Sequence, residues 1–582
     1  MSGRPETADR LYIIDALAPF CDSLSEKTVN WSKVPFGSLE RDHTLDPSIC
    51  RRVEEQLRIY ADRVAELGLN AVTLDDLAHL SCFDFYPESL KAKIDSYRAW
   101  YTRLIEICRS RGLAVFITTD IMFSNDYIFS ATGWRDPPLL HLLGRSLRRL
   151  FRRFDHVKGV VFRLGESDGK DIRKDIREEF HSRLVIRTPS QARRYIATLL
   201  GVFEKYDRLM IVRTWTLGAF KVGDLMWNPR TYRGAFGGID SDRLVVSHKY
   251  GDTDFQRYLD LNPLLFEGNT RKIVEFQTRR EYEGFGEFPS FAGYDYERFI
   301  ERIKEHKRFA GAMVWCQTGG WSRFRRLTFL KDSSVWNELN TAVTIAMLRR
   351  GLDAEGAIRE FCRRRLPASD PELFVRLIRL SDRVVERLWY IPEFSSRTLY
   401  FRRTRVPPLL WVFWDRVLIN HAVRVTLRRF VQGRREAIRD GYRALYRIRE
   451  MKRLARELHL EEDQFDFQYD TFKILAIARE YFFGTWSPGL GERIEREARA
   501  YEEKYPQGFV IERDFSPLRI GKNLLEVVFG LCVRTRSRYR LIDTLVIIRF
   551  TGWFYPLVKN WQRRRMPEFA RRQAMGIQVL FK

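Results

Sequence analysis

The sequence predicts a (β/α)8 TIM barrel followed by an all-helical C-terminal domain. Two features carry this. Over the first 330 residues, short apolar runs alternate with amphipathic stretches, giving about eight strand–helix units. Most of those runs end in polar or acidic residues: Asp75-Asp76, Asp120, Glu166, Asp254 and Glu275. The C-terminal strand ends of a barrel are where reactive groups gather, which favours a barrel over a doubly wound open sheet. Beyond Trp336 the apolar residues recur at intervals of three and four with Arg and Glu opposite, as in packed helices.

Taken in order, Asn30–Phe36 reads as an entry strand, followed by the helix pattern ICRRVEEQLRIYADRVAEL ending at Gly68. The apolar run Asn70–Leu74 precedes a long helix, SLKAKIDSYRAWYTRLIEICRSRG, and then LAVFITTDI. SLRRLFRRFDHV leads to GVVFRLGESDG, and SQARRYIATLLGVFEKY leads to RLMIVRTWT. The strands DRLVVSHK, RKIVEFQT and FAGAMVWCQ complete the set, with the helix YERFIERIKEH before the last. The expected division is an N-terminal extension at 1–29, a catalytic barrel at 30–330 and a helical domain at 331–582. Val406–Pro408 reads as a break between helices. The last 65 residues mix apolar runs with basic ones such as NWQRRR, which fits a buried or dimer-interface helix better than a membrane-surface one.

The chain has 582 residues, with 101 Lys and Arg against 76 Asp and Glu, a net charge of +25. At 45% hydrophobic and 30% charged residues it is globular in composition. Its beginning shows no basic segment followed by an apolar core, and no window approaches 18 uninterrupted apolar residues, so neither a secretory signal nor a transmembrane segment is expected. Seven scattered cysteines with no CxxC read as reduced thiols of a cytoplasmic protein. No HExxH, GxGxxG after a strand or GxxxxGK[ST] is present, so neither a metal nor a cofactor is expected. The charge alone would suit nucleic acid, but no nucleic-acid module signature appears.

Three carboxylates stand at strand ends: Glu166 on strand four, Asp254 after strand six and Glu275 on strand seven. Carboxylates meeting in one barrel mouth suit glycoside hydrolysis, where one is a protonated acid and another an ionised base or nucleophile. Cations occupy matching places. Arg163 precedes Glu166, Arg213 ends strand five and Lys249 ends strand six. They would bind a substrate carboxylate, or simply neutralise the acids. Aromatics crowd the same ends, notably Trp215 and Trp315, with Trp227, Tyr232, Tyr282, Phe285 and Trp321 nearby in sequence.

The segment SHKYGDTDFQ…LNPLL…RKIVEFQTRREYEGFGE resembles the signature of the xylan-debranching α-glucuronidases, glycoside hydrolase family 67, with a Lys five residues before Asp-Phe-Gln and then Glu-Phe-Gln followed by Glu-Tyr. IYADRVAELGLNAVTLDDL, FAGAMVWCQTGGWS and WNELNTAVTIAML resemble further parts of that family in the same order, over roughly 30–365. The resemblance implies an inverting, exo-acting hydrolase that releases a uronic acid from acidic oligosaccharides. It implies Glu166 as general acid, Asp254 and Glu275 as the pair holding water, and Lys249, Arg213 and, less closely aligned, Arg163 on the uronate carboxylate. The chain departs from the family in reading FRLGESDG where Lys-Ala-Asp-Ser-Glu-Gly is usual, and in lacking the N-terminal β-sandwich. Two alternatives stand beside it. One is a retaining glycosidase on a neutral sugar, with Glu166 as acid/base and Glu275 as nucleophile. The other is a non-catalytic basic protein binding glycan or nucleic acid. The apolar helical C-terminus suits a homodimer.

Overall fold

The computed structural model describes residues 10–24, 27–166, 179–216, 218–331, 333–401, 404–406, 411–517 and 533–534. Eight parallel strands close into a barrel: β1 Leu11–Asp15, β2 Ala71–Asp75, β3 Ala114–Asp120, β4 Val157–Gly165, β5 Leu209–Thr216, β6 Leu244–Lys249, β7 Arg271–Gln277 and β8 Phe309–Trp315. They are buried along nearly their whole length, because barrel side chains fill the centre on one face and meet helices on the other. β1 closes the ring by pairing with both β2 and β8, with Ile13 beside Ala71 and Met313. Gly311 makes this closure possible: at φ +138°, a Cβ there would lie 1.9 Å from the Leu11 carbonyl oxygen.

The first strand corrects the sequence expectation. It is LYIID at Leu11–Asp15, inside the stretch expected to be an extension, and Asn30–Phe36 is not a barrel strand. At its start, Val29–Asn30 forms a two-residue ribbon with Trp321–Ser322, and Asn30 lines the pocket at the barrel mouth. Leu11–Asp15 carries the same signal as its siblings, an apolar run ending in an acid. The buried Asp15 carboxylate accepts from the Cys316 and Gln317 backbone N–H groups, tying β1 to the end of β8.

The surrounding helices are α1 Pro47–Glu66, α2 Glu88–Arg109, α3 Asp136–Arg153, α4 Pro189–Lys205, α5 Pro229–Phe236, α6 Gly293–Ile303 and α7 Val335–Arg350, with a 3-10 turn at Pro263–Phe266 after β6. Several start with a capping side chain followed by Pro at the first helical position: Asp46 for α1, Thr188 for α4 and Asn228 for α5. α7 is buried continuously from Trp336 to Leu348, because the barrel covers one side and the C-terminal region the other. Its polar residues are used inward, with Asn340 Nδ2 donating to the Thr278 and Ser290 carbonyls.

The C-terminal region is mainly helical: α8 Ala354–Arg365, α9 Pro371–Val384, α10 His421–Phe430, α11 Arg434–Glu457, α12 Asp463–Phe483 and α13 Pro488–Lys504. It is not all-helical. Val412–Phe413 and Arg416–Asn420 form a hairpin that Val510–Asp514 extends in parallel, and Thr398–Phe401 pairs with Thr404–Val406 where an interhelical break was expected. The expected apolar, basic terminal segment lies outside the described residues, apart from Val533–Arg534. No described helix is long and apolar enough to cross a membrane.

Candidate active site

The C-terminal mouth of the barrel holds a small pocket of about 90 Å³. Its floor is built from strand ends. Strand register sets Arg163 of β4 beside Arg213 of β5, Arg213 beside Ser247 of β6, and Lys249 of β6 beside Glu275 of β7. Glu166, Arg163, Arg213, Lys249, Asp254, Trp215 and Trp315 all line the pocket.

Glu275 does not line it. Only 1% exposed, it sits behind Arg213, which donates Nε and Nη2 to its two oxygens at 2.9 and 2.8 Å. Ser247 Oγ and Trp315 Nε1 donate at 2.8 and 3.0 Å, so each oxygen receives two bonds. Burial alone would raise this carboxyl, but the Arg213 charge and these donors hold it below the usual carboxylate range. These bonds hold Arg213 in place. The third guanidinium nitrogen, Nη1, is left to reach Glu166 at 3.1 Å, and the guanidinium lies 4.4 Å from the Trp315 ring centre.

Glu166 (16% exposed) and Asp254 (12%) face the cavity. Arg163 approaches Glu166 from below, but its closest acid is Asp120, 3.0 Å from its Nε, and its Nη1 donates to the Ser32 carbonyl at 2.8 Å. Lys33 also reaches Asp120, at 2.5 Å. Burial lifts Asp75, at the end of β2, to about 6 despite the neighbouring Arg163 charge. Asp254 is held from two sides: Lys249 pairs with Oδ1, and Tyr282 OH donates to Oδ2 at 2.8 Å. The Lys249 ammonium is sandwiched between Trp215 and Phe255, 3.5 and 4.3 Å from the ring centres.

Sequence reasoning gave no role to Glu281, which the structure places in the pocket wall. It follows β7, with its Oε1 accepting from Gln277 Nε2 at 2.9 Å. Burial, reinforced by the Asp254 charge, lifts its carboxyl to about 8, so it carries a proton at neutral pH. The Glu-Tyr pair that closes the family-67 signature is Glu281-Tyr282, which was the available signal. Lys33, Gln277 and Trp414 were also missed. Trp414, at φ +54° in the C-terminal hairpin, leans over Gly320, where a Cβ would lie 1.9 Å from the indole. Among the other aromatics singled out, Tyr282 lines the pocket, Trp227, Tyr232 and Phe285 are buried outside its lining, and the Trp321 side chain is outside the described residues.

The acid-bearing loops are fixed by the C-terminal region. Arg257, three residues past Asp254, donates to Glu283 and pairs with Asp382 of α9 at 2.5 Å. Trp389 Nε1 donates to the Tyr282 carbonyl at 2.6 Å, and Tyr390 OH to Glu283 at 2.8 Å. Among the described residues no cluster of His, Cys, Asp and Glu has the arrangement of a metal site.

No protein-family model matches the sequence, and no curated protein matches it. Solved structures do. A GH138 enzyme targeting pectin rhamnogalacturonan II matches at 11% identity and TM-score 0.49, over 86% of this chain and 62% of its own. The Thermobaculum terrenum O-GlcNAc hydrolase matches at 9% identity and TM-score 0.39, over 87% of this chain and 94% of its own. A β-mannanase from the blue mussel Mytilus edulis matches at 13% identity and TM-score 0.33, over 58% and 92%. At scores this low, the chemistry of the chain rests on its own residues.

Proposed function

We propose that the chain is an exo-acting glycoside hydrolase that removes a terminal, carboxylate-bearing sugar, of the uronic acid type, from an acidic oligosaccharide. The observation that carries this is the convergence of Glu166, Asp254 and Glu281 on one small pocket at the barrel mouth, in different electrostatic surroundings. Hydrolysis of a glycoside needs one protonated and one ionised carboxyl flanking the bond. On this reading Glu281, whose protonated form is favoured near neutral pH, gives its proton to the leaving oxygen. Glu166, paired with Arg213, is the carboxylate that takes a proton from water or attacks the anomeric carbon. Trp215 and Trp315 offer flat faces to the ring. Trp414 and Gly319-Gly320 narrow the pocket, which suits a chain end more than the middle of a polymer. Lys33, Arg163, Arg213 and Lys249 bring guanidinium and ammonium donors to the lining, each already paired with Asp120, Glu275 or Asp254, and such donors are the groups that hold a sugar carboxylate.

One observation favours Glu166 as the acid, the role the family-67 resemblance implies for it, with Glu281 in the place beside Asp254 that the resemblance gives to Glu275. Lys249 and Tyr282 fix Asp254 beside Glu281, and such a pair can hold a water between them while Glu166 donates the proton. The test is hydrolysis of a panel of acidic oligosaccharides, followed by NMR of the released sugar, for Glu166→Gln and Glu281→Gln. Loss of the alkaline limb of the pH profile in Glu281→Gln alone assigns the acid to Glu281; its retention there and loss in Glu166→Gln reverses the roles. Full activity in both variants overturns the proposal. The anomer released decides between inversion and retention, which require carboxyl separations of about 6.5–9.5 Å and 5–5.5 Å.

A further inference from the structure

A second, larger cavity of about 1120 Å³ opens beside the first, between the loops after β1, β7 and β8 and the C-terminal helices. Its wall carries Lys27, Arg323, Arg325, Arg326, Lys331 and Arg365, against two lining carboxylates, Glu287 and Glu461. Part of that charge is used internally. Arg326 pairs with Glu287 at 3.1 Å and with Asp463 at 3.5 Å, and Arg365 with Glu338 at 3.1 Å. Cations still exceed carboxylates, and among the described residues Lys27 and Lys331 pair with no acid. A further surface cavity, beside α13, instead mixes Glu492, Glu495 and Glu503 with Arg496 and Arg499.

The two cavities share a wall. On either side of the ribbon of Val29–Asn30 and Trp321–Ser322, Asn30 and Gly319-Gly320 line the catalytic pocket and Lys27 and Arg323–Arg326 line the basic one. Arg323 is three positions after Gly320, and Asn30 three after Lys27, so each strand bridges the sites within about 11 Å of chain. Between the cations, Phe324, Leu330 and Leu460 offer apolar surface. Guanidinium and ammonium groups set among apolar faces suit a sugar ring that bears a carboxylate.

We propose that this cavity is a distal binding site for further acidic residues of a carboxylated oligosaccharide whose end occupies the catalytic pocket. The ligand class rests on the hydrolase proposal, but binding is measured without turnover, so failure of hydrolysis leaves the test intact. Calorimetric titration of the full chain carrying Glu166→Gln, without and with Lys27→Glu/Lys331→Glu, uses three probes: a short polyuronate oligosaccharide, inorganic sulfate and a single-stranded DNA oligonucleotide. The exposed lysines make the double variant a folded one, and Trp414→Ala serves as the catalytic-pocket control. The expected result is polyuronate binding that weakens about tenfold in the lysine variant, persists in Trp414→Ala and falls with added salt. Polyuronate binding that is absent, or unchanged in the lysine variant, overturns the site. So does loss confined to Trp414→Ala, sulfate bound as tightly as the polyuronate, or tighter binding of the oligonucleotide.

Discussion

Glu281 and Glu275 lie six residues apart in one segment and have opposite fates. Glu275 points behind the wall and receives four donors; Glu281 points into the pocket, receives one side-chain donor and faces Asp254. Replacing Glu281 by Gln is expected to lower kcat about 10²–10⁴-fold, the usual worth of general acid catalysis. It should also remove the fall in activity as pH rises through about 8, measured as kcat/KM against pH. The same substitution has a stability signature. A carboxyl raised to about 8 in the native state holds a proton that the unfolded chain releases earlier, so native stability falls as pH climbs from the ordinary carboxylate range to 8. Gln does not titrate, so the Tm of Glu281→Gln should gain on the parent across that window. Glu275→Gln removes the partner of a buried Arg213 and should cost about 3–5 kcal/mol, read by denaturant unfolding. The sequence showed which residue types end the strands, which is why Glu166, Arg213, Lys249 and Asp254 were legible. It could not show that Glu275 is shielded, because that depends on Arg213 and Ser247 from other strands, nor that Glu281 is drawn inward by a loop pinned from the C-terminal region.

Most of the barrel strands were legible because each is a short apolar run between helix patterns, and parallel strands buried on both faces read that way. β1 escaped because Leu11–Asp15 has no helix pattern before it, and because the short Val29–Asn30 segment, extended but outside the barrel, competes for the same place in the count. The C-terminal hairpin was illegible for a similar reason: its strands are brief and embedded among helices. That hairpin has functional weight, since it carries Trp414 into the pocket. On the proposed function the indole packs on the sugar away from the reacting atoms, so Trp414→Ala should raise KM for an oligosaccharide more than it lowers kcat in steady-state kinetics. The loop that carries Glu281 depends on the Arg257–Glu283 and Arg257–Asp382 pairs. Asp382→Asn, far from the pocket lining, should lower kcat and quicken proteolytic cleavage near 280–290, resolved by mass mapping.

At the scale of the whole molecule, barrel and C-terminal region act as one body around α7. A helix buried on all sides from Trp336 to Leu348 cannot be left half covered. The chain cut after Arg350 should therefore aggregate or unfold without a cooperative transition in calorimetry, although its eight barrel strands are all present. The net charge of +25 also takes on local meaning. Many of the cations lie on helix faces paired with Glu and Asp, as along α11, while others surround two cavities near the barrel mouth. The most direct measurement of the central claim is time-resolved NMR of acidic oligosaccharides incubated with the parent chain and with Glu281→Gln at pH 7. The parent is expected to release a free uronic acid, and the variant to release it at least about 10²-fold more slowly. No sugar released from any acidic oligosaccharide, or equal rates from the two proteins, would contradict it.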